Sequence, residues 1–68
     1  RELPLDLRAD AEEGLGRDFL LKNAFGDALP HLTRAKLLNA QLKRQLAVAL
    51  LEETIHQAEQ GLASLNAE

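Results

Sequence analysis

The chain has 68 residues, a mass of 7.5 kDa and a formal charge of −3, with no Cys, Met, Trp or Tyr and only two Phe. One domain at most fits this length, and so small a domain buries only roughly 60% of the surface its unfolded chain exposes, leaving stability marginal. The lack of Cys excludes disulfide staples and thiolate chemistry, so extra stability must come from close packing or self-association.

Sixteen Leu and eleven Ala stand against four β-branched residues, Thr33, Val48, Thr54 and Ile55. Leu and Ala lose little side-chain freedom in a helix, whereas strands favour β-branched and aromatic residues, so the expected fold class is all-α. An apolar content of 46% with modest net charge argues against disorder. The longest apolar run, Leu46 to Leu51, is far short of the roughly 20 residues needed to span a bilayer. No segment resembles a signal peptide, and the expectation is a soluble, cytoplasmic chain with no membrane partner. Its opening on Arg1 rather than Met is expected of a processed or excised piece of a longer protein.

In chain order, residues 1–9 carry Leu3, Leu5 and Leu7 around Pro4, which reads as an extended arm. Residues 10–68 read as a helical hairpin. A first helix is predicted from Asp10, with Glu13 completing a capping box, to Phe25, with Gly26 as its stop. Asp27 then caps a second helix from Ala28 to Leu65, which tolerates Pro30 in its first turn and meets no later break except Gly61. A connection of a few residues makes the two helices antiparallel neighbours.

On a helical wheel, Leu32, Ala35, Leu38, Leu42, Leu46 and Ala49 form one stripe of the long helix, and Val48, Leu51, Ile55, Ala58, Leu62 and Leu65 form another on the other side. The short first helix covers only one of them. The second is free for the N-terminal arm or for another chain, and its 4-3-4-3 spacing from Leu51 to Leu65 suits a coiled-coil seam. The expected interface residues are therefore Leu46, Val48, Leu51, Ile55, Ala58, Leu62 and Leu65. Charge agrees: residues 28–51 carry Arg34, Lys36, Lys43 and Arg44 with no acid, and residues 52–68 carry Glu52, Glu53, Glu59 and Glu68 with no base. Two antiparallel copies crossing near Ala47 and Val48 would set basic against acidic segments on both sides. Phe19 and Phe25, with Leu15, Leu20 and Leu21, make the first helix apolar over most of its circumference, as in a helix lodged between others in a four-helix arrangement, and Leu29 at the start of the second helix adds to the same core.

Chemistry finds little foothold. Thr33, Thr54 and Ser64 lie in no nucleophile motif, and no Gly-rich loop follows a strand, so the chain is expected not to be an enzyme. Glu53 and His56 have the Glu-x-x-His spacing of di-iron bundles, with Glu52 and Glu59 nearby and Glu12, Glu13 or Asp18 as distant carboxylates. The wheel, however, turns Glu53 and His56 away from the seam, and no cofactor or metal is expected. His31 has no partner at ligand spacing. Arg34, Lys36, Lys43 and Arg44 do not form one stripe, and no aromatic residue is free to stack on bases, which disfavours a DNA-binding regulator fragment. The expected function is a non-catalytic protein-interaction or oligomerisation module, its partner a second copy or a helix of another protein, with the DNA-binding fragment and a carboxylate–histidine metal bundle as alternatives.

Overall fold

The computed structural model describes residues 3–67, and among them every regular element is a helix: α1 (Leu5–Leu21), α2 (Phe25–Gln41) and α3 (Gln45–Asn66). The all-α expectation holds; the two-helix hairpin with an extended arm does not. Residues 5–9, expected to be extended, are the first turns of α1, and Arg8 N donates to the carbonyl of Pro4 at 3.0 Å. Proline restricts the residue before it, here Leu3, and leaves the residues after it free to coil. Pro4 is therefore the residue that starts the helix.

The larger correction is the long helix, which breaks at Leu42–Arg44 and folds back on itself. Both turns of the molecule are built alike. Ala24 N donates to Phe19 O at 2.8 Å and Asn23 N to Leu20 O at 3.0 Å; Arg44 N donates to Asn39 O at 3.0 Å and Lys43 N to Ala40 O at 3.1 Å. Each is a Schellman motif, which requires one residue in the left-handed region. Asn23 and Lys43 occupy that position, both at φ 59°. Neither turn uses glycine: Gly26, expected to end the first helix, is the second residue of α2 with no positive φ.

Pro30 lies inside α2, and its missing N–H removes the helical donor to the carbonyl of exposed Gly26. Successive helices run antiparallel, and α2 packs along both neighbours, while α1 and α3 scarcely meet. The result is open: the Cα radius of gyration is 12.2 Å, against roughly 11 Å for a compact chain of this length. Its accessible surface, 4794 Å², likewise exceeds the roughly 4,250 Å² expected for its mass.

The core is correspondingly small-sided. Ala9, Ala28, Ala35 and Ala58 are fully buried, joined by Leu32 and Leu51, with Phe19, Leu20, Phe25, Leu29 and Ile55 packed around them. Two helical glycines let the backbones approach. A Cβ on Gly16 of α1 would lie 2.6 Å from Leu32 Cδ2, and one on Gly61 of α3 would lie 2.6 Å from the Phe25 ring. The buried Asn39 side chain is satisfied within its own end of the helix: Nδ2 donates to Ala35 O at 2.8 Å, and Oδ1 accepts from Arg44 Nη1 at 3.3 Å.

The two glycines of α1 should respond oppositely to alanine. Gly14 has nothing within 4 Å of an added Cβ, so Gly14→Ala should stabilise by up to about 1 kcal/mol through helix propensity alone. Gly16→Ala drives a methyl into fully buried Leu32 and should destabilise by about 1–3 kcal/mol despite the same propensity gain. Urea denaturation of the two variants, compared at equal slope, reads the difference directly.

Candidate interaction surface

The helical hairpins place the charged residues before they place any apolar surface. Glu12 on α1 faces α2, where His31 and Arg34, three residues apart, share a face. His31 Nδ1 lies 2.6 Å from Glu12 Oε1 and Arg34 Nη1 3.4 Å from Glu12 Oε2. The His31 ring stacks on Phe19, one helical heptad beyond Glu12, with centroids 5.6 Å apart and planes at 15°. The hydrogen bond from His31 holds the Glu12 carboxyl below its ordinary value of 4.5; burial opposes this and Arg34 adds to it. Sequence spacing does not reveal this cluster because a turn separates its members: His31 has no partner at ligand spacing, and Glu12 is 19 residues away along the chain.

The basic stretch shows where its charge goes. Besides Arg34, Lys36 Nζ lies 3.9 Å from Glu52 on α3, and Arg44 Nη1 lies 3.5 Å from Asp10 on α1. Three of the four cations expected to meet a second chain thus meet acids of their own chain. Of these pairs, Lys36–Glu52 joins the basic segment to the acidic one read from the sequence, brought together by the fold at Leu42–Arg44, whereas Arg34 and Arg44 pair with acids of α1.

The expected interface residues divide accordingly. Leu51 and Ala58 are buried in the core and Ile55 packs against it, so this part of the seam is covered by α2 of the same chain. Val48 and Leu62 are half-buried. Leu46, 75% exposed, and Leu65 project away from the core. They are not alone: nine of the sixteen leucines are exposed, among them Leu7, Leu15 and Leu21 on α1, Leu37 on α2 and Leu50 on α3. Beside the second turn lies an open groove of about 310 Å³, lined by the apolar Ala40, Val48 and Ala49 and by charged Lys43, Arg44 and Glu52.

Glu53, His56 and Glu59 are exposed on α3. Glu12 is engaged by His31 and Arg34, and Glu13 by Arg17 at 3.0 Å. Among the described residues no group of three or more His, Asp or Glu side chains is placed to hold a metal ion. No described helix is long and apolar enough to cross a membrane. No protein family, curated protein or solved structure matches this chain.

The Glu12 cluster makes the α1–α2 contact acid-sensitive. A carboxyl whose value is lowered on folding contributes stability that is complete above its unfolded value, near 4.5, and is lost as pH falls through the lower folded value. Glu12→Gln removes that term. Denaturation midpoints of wild type and Glu12→Gln should differ at pH 7, with wild type the more stable, and converge as pH is lowered below 4.5 and through the folded value. A gap that stays constant to pH 2 would contradict the assignment.

Proposed function

We propose that this chain is a non-catalytic helical module whose role is association, its partner being a second copy of itself. The observation that carries the reading is the combination of a core made chiefly of alanine with nine leucines left in water. Burying apolar surface is the main source of stability in a fold of this size, at roughly 25 cal/mol per Å², and here much of it is unused. So many exposed leucines on so small a domain support contact with another protein. The engagement of Arg34, Lys36 and Arg44 by carboxylates of the same chain weighs against the DNA-binding alternative, since phosphates would have to displace those acids.

The direct test is the mass in solution from about 10 μM to 1 mM by light scattering coupled to gel filtration. Wild type should pass from monomer to dimer over that range. Leu46→Glu, at a residue 75% exposed in the folded chain, should leave helical circular dichroism unchanged and raise the dissociation constant at least about ten-fold, because a charge is hard to bury at an apolar contact. A wild-type chain that stays monomeric at 1 mM would overturn the reading.

A further inference from the structure

The second turn differs from the first in one respect that bears on how two copies meet. Asparagine is the non-glycine residue best suited to the left-handed position, and Asn23 holds it in the first turn; Lys43 holds it in the second at the same φ of 59°. Around Lys43, the segment Ala40-Gln41-Leu42-Lys43-Arg44-Gln45-Leu46-Ala47 contains no Gly, Pro or β-branched residue and consists wholly of good helix formers. Apart from the hydrogen bonds that Lys43 and Arg44 make to Ala40 and Asn39 in the closed turn, nothing local keeps this segment from being helical.

Resting on the association reading above, we infer that the chain dimerises by exchanging α3: Leu42–Arg44 straightens, α2 and α3 become one helix, and the α3 of each copy packs on the α2 of the other. Three observations fit this arrangement. First, α3 is held by α2 and scarcely touches α1, so it can leave as a unit without disturbing the Glu12–His31 contact. Second, positions on α2 and α3 fall in register across the turn, and Phe25, Leu29, Leu51 and Ala58 among them pack in the core. Leu29, Ala40, Leu51 and Leu62 are spaced by 11, as are Phe25, Lys36, Ala47 and Ala58. An 11-residue repeat keeps one seam along a continuous helix with a slight right-handed supercoil. Phe25 and Leu29 of α2 and Leu51 and Ala58 of α3, all packed in the core, would then lie in a single stripe that an antiparallel second copy covers at both ends. Lys36 and Glu52, 3.9 Å apart in the closed chain, would pair between copies. Third, straightening continues Leu38 and Leu42 into Leu46 at four-residue spacing on one face. That carries Leu46 from solvent toward the side of the rod where α1 lies and gives its exposure a purpose. Lys43 then stands four residues after Asn39, within reach of the Oδ1 that Arg44 releases.

The exchange is read by crosslinking. Chains in natural isotopes and chains uniformly labelled with ¹⁵N are mixed, unfolded and refolded together, and treated with a carbodiimide that joins Lys36 to Glu52 at zero length. In the dimer fraction, peptides joining a light Lys36 to a heavy Glu52 are expected. Lys43→Gly favours the closed turn and disfavours the continuous helix, at two hinges per dimer. Its dissociation constant should rise on the order of 100-fold. Lys43→Ala, equally ill at ease in the turn and the best helix former, should keep the dimer. A dimer whose Lys36–Glu52 links are all within one isotope overturns the exchange but leaves association standing. A chain that is monomeric throughout overturns both.

Discussion

A lysine held in the left-handed conformation is the constraint on which this architecture turns. Lys43 at φ 59° allows Arg44 to reach back to the carbonyl of Asn39, and that bond reverses the chain. For an L-residue with a full side chain the conformation costs roughly 1–2 kcal/mol, a large share of what so small a domain has to spare. The closed turn recovers this through Arg44, whose guanidinium meets both Asn39 Oδ1 and Asp10, and through the apolar contacts that α3 makes once it lies on α2.

From that reversal follows the central place of α2. It alone packs against both neighbours, and it does so with alanines and Leu32 set against Gly16, while Phe25 lies over Gly61. Small residues permit close backbones but bury little area, which is why the closed chain is open in shape and rich in exposed leucine. Charge follows the same plan. The basic residues of α2 and of the turn after it bridge to acids on either side, Glu12 and Asp10 in one direction and Glu52 in the other. Individually such pairs contribute about 0–1 kcal/mol at an exposed surface, but together they fix which faces meet.

Much of this was legible in the sequence. The excess of Leu and Ala over β-branched residues gave helices and nothing else, and the two apolar stripes contained Leu32, Ala35, Leu51, Ile55 and Ala58, all of which the fold buries or packs on the core. The first turn lies a few residues before the stop read at Gly26: Asn23 holds it, asparagine being the usual substitute for glycine in the left-handed position. The second turn was not legible at all. Lysine carries no turn preference, and the residues around it favour a helix, so the break follows from the energy of packing α3 on α2 and not from local signals. The Glu12–His31 pair was hidden for a related reason: it joins residues that only the first turn brings together.

The alternation between a closed turn and a continuous helix can be seen most directly as a distance within one chain. Cysteines placed at exposed Thr33 and Ser64, in a protein that has none of its own, accept spin labels, and dilution into excess unlabelled chain isolates the intrachain separation. With the turn closed, the two sites lie roughly 15–20 Å apart across the α2–α3 hairpin. Along a straight helix they lie roughly 46 Å apart. Pulsed electron paramagnetic resonance should show the short distance in dilute solution and a growing population of the long one as total chain concentration rises. A short distance alone at every concentration would contradict the account.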